Sequence, residues 1–433
     1  MEKKITYQAC LKTMYALGRF GIVLGLETIE TILKGLGNPH RTFKSIHIAG
    51  TNGKGSVASA LATILSASGY RVGLYTSPHL VHFNERIMIN NQPISDQRVV
   101  DAYLAVSKMD QGGRKATFFE LTTAMAFYEF AENKVEWAVI EAGMGGRLDA
   151  TNIITPEVSI ITNISIEHKT YLGNTVAKIA GEKGGIIKEA KPVVTGVRQK
   201  SAIQSLEGIA AGKNAPLFRL GKDFRARKNR NQTFTYYGVN EIMSRMETGL
   251  LGNYQIENAS LTLAACEILK QNGVALPTDT IREGLKKNIW PGRLETLSTH
   301  PRILVDGAHN LAAVKNLKRF LKENIEREKL TLIIGILDDK PHKEMLKDLL
   351  PLARRVILTK PDNQRSTDPK ALLQTAKALS ETVTVKQNIQ EAMAWALKET
   401  SPDETICIAG SLYLVGEVKA LMAGISKEKG CSF

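Results

Sequence analysis

A chain of 433 residues, 43% hydrophobic and 23% charged, has the composition of a folded globular protein rather than a disordered or fibrous one, and it exceeds the roughly 250 to 300 residues that one core usually serves. Two domains are expected. The net charge of +14, from 57 basic and 43 acidic residues, is spread along the whole length without an arginine-rich tail, zinc-finger spacing or an aromatic-plus-basic ribonucleoprotein motif, so it points to small polyanions and not to nucleic acid.

The four cysteines, Cys10, Cys266, Cys407 and Cys431, stand far apart and form no CxxC pair, which fits a reducing cytosol. Polar residues break MEKKITYQACLKTMYALGRFG before an apolar run reaches signal-peptide length, and no later run approaches the about 20 residues of a membrane span. A cytoplasmic protein with no membrane partner is expected.

In chain order, Leu26, Ile29, Ile32 and Leu33 share one face of a helical pattern from Tyr7 to about Gly37, stopped by GLGNP. The run SIHIAG (45–50) predicts a first strand, GTNGKGS (50–56) a glycine-rich turn, and VASALATILSASG (57–69) an alanine-rich helix. RVGLYTS (71–77) and WAVIEAG (137–143) predict strands flanking a helical TTAMAFYEFAE, and PEVSIITNIS (156–165) predicts another. Near-continuous apolar strands alternating with helices imply a mostly parallel sheet covered on both faces. From about Val197 to Leu251 there are short polar strand candidates, RARKNRNQTFTYYG among them, and no legible chemistry. Beyond Trp290 the alternation restarts with RILVDGAHN, a helix to about Asn324, TLIIGIL, another helix, RVILTKP and TICIAGS. That is a second α/β unit, with the boundary near PGRLETLSTHP (291–301).

Backbone N–H groups of a glycine turn at a helix N-terminus converge on an anion, and a lysine adds a point charge for the outer phosphates. GTNGKGS offers this arrangement with Lys54 as the cation. Its match to the generic loop GxxxxGK[ST] is imperfect, because Ile48 occupies the first-glycine position and the hydroxyl arrives one residue late, as Ser56. Plain strand-to-helix punctuation is the alternative.

GTNGKGS resembles the nucleotide loop of the Mur ligase superfamily, in its folylpolyglutamate and dihydrofolate synthase branch. The LGL and GLGNP segments, TSPHLVHFNERI (76–87), GGRLDATN (145–152), EHKTYLG (167–173), GEKGGIIK (181–188), PGRLE (291–295), DGAHN (306–310) and GSLYLVGE (410–417) occur in the order of that family, from about residue 20 to 417. Any one block also serves as a turn cap or a core hydrogen bond; the joint order carries the resemblance. It implies an α/β fold made of a P-loop domain with a mostly parallel sheet (1–295) and a smaller Rossmann-like C-terminal domain (296–433).

The implied activity is ATP-dependent ligation of L-glutamate to a reduced folate, and to dihydropteroate as well, by a monomer using Mg²⁺. A carboxylate does not react with an amine at neutral pH, so the γ-phosphoryl group of ATP is first transferred to it, and the gathered negative charge needs cations and a metal ion. Glu141, at the carboxyl edge of its strand, is the best metal candidate. The resemblance adds Ser77 and His168, with Ser56 as a looser candidate; a buried core histidine is the alternative for His168. Lys183 would repel a metal unless carbamylated, as the corresponding lysine of the superfamily often is; an unmodified lysine paired with Glu182 or a phosphate is the alternative. Lys54, Glu141, His168 and Lys183 are thus the catalytic candidates. Thr51, Asn52, Gly53, Lys54, Gly55 and Ser56 are nucleotide candidates from the loop, and the resemblance adds Asn258, Arg293, Asp306 and His309. Lys340 and Ser411 would approach the γ-phosphate and the incoming amino acid, and closure of two domains would keep water from the acyl phosphate.

The resemblance to dihydropteroate-binding members makes Thr117, Phe119 and Asp149 the pterin candidates, with ordinary core the alternative for Phe119. Two residues depart from the family pattern: His82 stands where many relatives carry arginine, and Glu167 precedes His168 where aspartate is usual. A peptidoglycan-type Mur ligase is the runner-up, weighed down by the mere about 45 residues before the first strand, too few for a further domain. A nucleotide-binding module without ligase activity would need neither Glu141 with His168 nor a second domain.

Overall fold

Buried runs of β-branched residues form the strands, and their alternate side chains enter different cores on the two faces of the sheet. The computed structural model describes residues 5–21 and 23–425, so Cys431 lies outside the described residues. The first sheet contains β1 (Lys44–Ala49), β2 (Val72–Tyr75), β3 (Ile87–Ile89), β4 (Gln92–Pro93), β5 (Trp137–Glu141), β6 (Val158–Ile161), β7 (Val193–Thr195) and β8 (Leu217–Arg219). Their spatial order is β4-β3-β2-β5-β1-β6-β7-β8. All neighbouring pairs are parallel except β2–β3 and β3–β4.

In β5, Trp137 and Val139 join a core with the helices Lys54–Ala67 and Tyr254–Gln271, while Ala138 and Ile140 join another with the helices Glu27–Gly35 and Phe118–Glu132. The chain leaves β1 for β2 on one side, and β6 lies on the other. Such a switch point opens a crevice at the carboxyl ends of the strands.

Three strands form a separate antiparallel sheet in the segment that was least legible: β9 (Arg225–Lys228), β10 (Phe234–Tyr237) and β11 (Ile242–Met246). The remaining sheet holds β12 (Glu295–Thr299), β13 (Arg302–Val305), β14 (Leu330–Ile334), β15 (Arg355–Leu358), β16 (Val383–Val385) and β17 (Thr405–Ala409), ordered β12-β13-β17-β14-β15-β16. It is parallel apart from the edge pair β12–β13.

The structure corrects several element bounds. The single helical pattern expected from Tyr7 to about Gly37 is two α-helices, Tyr7–Ala16 and Glu27–Gly35, with the 3-10 turn Leu17–Phe20 between them. Gly21 at φ +70° and Gly25 at φ +149° adopt conformations that a helix does not contain. The helix after the glycine turn begins at Lys54 rather than Val57, and the one expected at Thr122 begins at Phe118. Both shifts bring motif residues into helix caps. Among the described residues no helix is long and apolar enough to cross a membrane.

One carboxylate joins the small sheet to the body alongside a shared apolar core. Glu267, fully buried on the helix Tyr254–Gln271, accepts hydrogen bonds from the Tyr236 hydroxyl at 2.9 Å and the backbone N–H groups of Val239 and Glu241 at 3.0 Å, and also from that of Asn240. Phe234, Tyr236, Met243 and Met246 are buried in the core shared with this helix. Replacing Glu267 with alanine leaves four donors unpaired, so we expect a loss of about 3 kcal/mol or more of stability. Urea unfolding measures it, and a loss under about 1 kcal/mol would show that the donors find other partners.

Candidate active site

A cleft of about 560 Å³ lies at the carboxyl ends of β1, β5 and β6 and is closed on its far side by loops of the β12–β17 sheet. Every residue expected at the nucleotide, metal and substrate sites lines it except Lys183. The cleft joins segments about 360 residues apart, since both Thr51 and Ser411 border it.

The loop itself is tied at both ends. Gly53 caps the helix at φ +84°, and a Cβ there would stand 2.4 Å from Asn258 Oδ1; a Cβ at Gly55 would meet Trp290 Nε1 at 2.6 Å. Side chains are therefore excluded at both positions. Asn52 donates its N–H to Asn163 Oδ1 at 3.0 Å, and its carbonyl accepts from Asn163 Nδ2 at 2.9 Å and Thr162 Oγ1 at 2.7 Å. The register mismatch with the generic loop has a simple basis: Ile48, at the first-glycine position, is fully buried inside β1, so the turn starts at Gly50. Ser56 is buried and accepts a hydrogen bond from Gln255 Nε2 at 3.4 Å.

Beneath the loop, Lys54 Nζ donates to Gly50 O at 3.2 Å and lies 3.7 Å from Glu141 Oε1. Lys183 Nζ donates to the same Gly50 carbonyl at 2.9 Å and to Glu167 Oε1 at 2.8 Å. The pairing proposed for an unmodified Lys183 is thus corrected: Glu182 binds Arg147 at 3.0 Å on the outside of its helix, and Glu167 is the partner of Lys183. Burial lowers the pKa of the Lys183 ammonium, against the attraction of Glu167. Burial likewise raises that of Glu141, with Lys54 and the Ser77 N–H opposing. His168 is not a buried core histidine. It stands at φ +43°, exposed at the start of the short helix Lys169–Leu172, and desolvation by the cleft wall lowers its pKa, with Glu167 opposing.

From the opposite wall, Asp306 accepts the N–H groups of Leu294 at 3.0 Å and Ala308 at 2.9 Å, and burial raises its pKa to about 6 against the nearby Arg293. Arg293 donates one Nη1 bond to Gly292 O at 3.1 Å. Lys340 pairs with Asp339 at 2.7 Å, and Ser411 caps the helix Leu412–Met422 by accepting the Tyr413 N–H. Asn310 was not foreseen as a site residue. It caps the helix Leu311–Asn324 and exchanges two amide hydrogen bonds with Asn52, at 3.2 and 2.9 Å, joining the glycine loop to the second sheet. Asn163 and Glu167 were also missed as partners, although both lie in or beside quoted motifs; what hid them is a separation of 111 residues from Asn52 and 16 from Lys183.

At the other end of the cleft, Thr117 caps the helix Phe118–Glu132, and its hydroxyl donates to Glu120 at 2.9 Å. Asp149 caps the turn Ala150–Ile153 and accepts the Met144 N–H at 2.8 Å. Their side-chain oxygens serve the fold as well as lining the cleft. Phe119 is half-buried, packing on the core while facing the cleft.

Among the described residues no group of three or more His, Cys, Asp and Glu side chains could hold a metal ion. Mg²⁺ needs no such cage, since it keeps several waters and takes one or two carboxylates plus phosphate oxygens. Glu141, whose carboxylate meets the Ser77 N–H at 3.3 Å and the Lys54 ammonium, fits that use, with the Ser77 hydroxyl beside it on the cleft wall.

His309 donates Nδ1–H to Gly307 O at 2.8 Å, and desolvation lowers its pKa to about 4. A depressed histidine contributes stability above its unfolded pKa that is lost as the pH falls through the folded one. We expect its ring to titrate near pH 4 by NMR and the protein to lose up to about 3 kcal/mol at this site between pH 7 and 4. A midpoint near 6.5 would place the ring in open solvent.

Comparison with known proteins agrees with this geometry. The Mur ligase middle domain matches residues 48–266, and the Mur ligase glutamate ligase domain matches residues 292–412. The folylpolyglutamate synthase of Lacticaseibacillus casei is 38% identical over 407 residues, covering 92% of this chain and 94% of that protein. The dihydrofolate synthase/folylpolyglutamate synthase of Bacillus subtilis is 33% identical, covering 95% and 98%. Among solved structures, E. coli FolC in complex with DHPP and ADP superposes with a TM-score of 0.90 at 27% identity, covering 97% of this chain and 98% of that one. With both domain types in order and similarity along nine-tenths of its length, the chain belongs to the folylpolyglutamate synthase/dihydrofolate synthase family of Mur ligases.

Proposed function

We propose that this protein joins the amine of L-glutamate to the carboxylate of a reduced folate, and to that of dihydropteroate, with cleavage of ATP to ADP and phosphate. The observation that carries this reading is the cluster of Lys54, Glu141 and Lys183 around the glycine turn, inside a cleft walled by both sheets. The acceptor carboxylate attacks the γ-phosphorus of ATP, and the resulting acyl phosphate is attacked by the glutamate amine, releasing phosphate. Lys54, in the first turn of its helix, offsets charge on the transferring group together with the helix N-terminus. Arg293 supplies further donors to phosphate oxygens from the opposite wall. Glu141, Ser77 and His168 would hold Mg²⁺, which when bound neutralises charge between the phosphates.

Burial lowers the pKa of the Lys183 ammonium, which supports its carbamylation; the modification would exchange the ion pair with Glu167 for an anion near the metal candidates. We divide the chain at 295/296, within the first residues of β12 (Glu295–Thr299), and place the protein in the cytoplasm as a monomer without nucleic acid. The buried free thiols Cys10, Cys266 and Cys407 suit a reducing compartment.

Glutamate-dependent ADP release, measured with a reduced folate and separately with dihydropteroate, tests the function; no release with either would overturn it, and release with only one assigns the acceptor. Lys54→Ala should lower the rate by at least about 100-fold without unfolding the protein. Glu141→Ala should lose activity that excess Mg²⁺ restores little, and an unchanged Mg²⁺ dependence would exclude Glu141 as a ligand. If Lys183 acts as a carbamate, Lys183→Ala should be nearly inactive and partly rescued by acetate; failure of every short carboxylate to rescue a folded variant would count against the modification.

A further inference from the structure

We propose that Arg86 binds the α-carboxylate of the acceptor's glutamyl residue and so selects acceptors that already carry glutamate; this rests on the folate-ligating function above. Arg86 ends the 3-10 turn Phe83–Arg86, just before β3. Its carbonyl accepts the Thr76 N–H at 3.1 Å, so its backbone is fixed beside Ser77, whose own N–H meets Glu141. The side chain is only 4% exposed, and it borders the cleft. Its guanidinium lies 5.1 Å from the ring centre of Phe118 and 6.0 Å from that of Phe83, and Nε donates to His79 Nδ1 at 2.8 Å.

These neighbours are a ring nitrogen and two ring faces. Among the described residues no carboxylate pairs with Arg86 within 4.0 Å, whereas Arg114, which is more exposed, is held by Glu120 at 2.6 Å. A desolvated cation is unfavourable without an anion, and guanidinium has five N–H donors in a fork that matches a carboxylate. The two rings and the bond to His79 confine the guanidinium against the cleft wall, which suits recognition of a carboxylate by its remaining donors.

The position of Arg86 decides which anion. Its backbone borders the Ser77–Glu141 end, where the reacting carboxylate must meet phosphate, and its side chain lies over the core residue Phe118, the chain neighbour of the pterin candidates Thr117 and Phe119, which line the same cleft. An acceptor spanning these two ends passes Arg86 with its middle. In a folate that stretch carries one charge besides the reacting γ-carboxylate, namely the α-carboxylate of the same glutamyl residue. Dihydropteroate carries none there, because its single carboxylate is the one that reacts. One cation thus faces one anion in the first acceptor and no anion in the second.

The test compares kcat/KM for a reduced folate with that for its α-carboxamide, in which the γ-carboxylate is kept. The wild type should prefer the carboxylate by about 10- to 100-fold, the range of a hydrogen bond to a charged group. Arg86→Gln should bring the two acceptors to within about threefold, and its loss on dihydropteroate should be smaller than its loss on the folate. Arg86→Lys keeps the charge without the fork and should fall between, which also gives a result if Arg86→Gln does not fold. Equal use of both acceptors by the wild type, or a preference that survives in Arg86→Gln or is unchanged in Arg86→Lys, would overturn the assignment. Absence of folate-dependent ADP release in the wild type would instead remove the function on which it rests.

Discussion

The cleft depends on the carbonyl oxygen of Gly50, on which two ammonium groups converge. Lys54 approaches it from the helix that follows the turn and Lys183 from a helix 130 residues further on, at 3.2 and 2.9 Å. Each cation has an acid on its outer side, Glu141 for Lys54 and Glu167 for Lys183. Two like charges sharing one acceptor repel each other, so neither is tolerable without its carboxylate. A site that gathers phosphate oxygens gains from this arrangement, since incoming negative charge relieves the repulsion. Gly50 stands at φ +150°, and a Cβ there would lie 1.9 Å from Thr162 Oγ1, so a larger residue would displace the carbonyl that both lysines use.

The loop is also the meeting point of the two large sheets. Its Asn52 backbone is bound to Asn163 at the end of β6, and its side chain to Asn310 at a helix cap of the other sheet. Asn310 Oδ1 serves the Ala313 N–H at 3.0 Å as well, so the helix cap and the contact across the cleft share one atom. Any opening of the cleft that separates Asn52 from Asn310 exposes two amides and leaves the cap in place. The contact is therefore cheap to break, as a cleft that admits and releases ligands requires.

Several residues in the cleft serve the fold and the site together. Thr117, Asp149 and Ser411 each cap a helix or turn, and the cap determines where their backbone and neighbours face the cleft. Arg86 is the contrasting case: it is buried beside aromatic rings, and among the described residues no carboxylate pairs with it within 4.0 Å. Small polar residues at caps keep two roles because a single oxygen has two lone pairs, whereas a guanidinium with five donors keeps several of them for a ligand after one bond to the protein.

By itself the sequence determined the strands β1, β2, β5, β6, β13, β14, β15 and β17 and the glycine turn, because buried parallel strands are continuous apolar runs and a phosphate turn needs glycines at set positions, whereas the cleft residues outside the turn, Glu141 apart, were expected from the family resemblance alone. It left the small sheet of β9–β11 indistinct, since those strands are short and half polar and depend on Glu267 of a distant helix for their turn. It also read one helix where there are two, as hydrophobic spacing on a single face does not register glycines that turn the chain between them. Only the tertiary structure decided that Glu167 is the partner of Lys183, that Asn310 meets Asn52, and that Arg86 is a buried cation on the cleft wall. Those facts depend on distances between residues far apart in the chain or on burial by other elements, and neither quantity has a periodicity or spacing along the sequence.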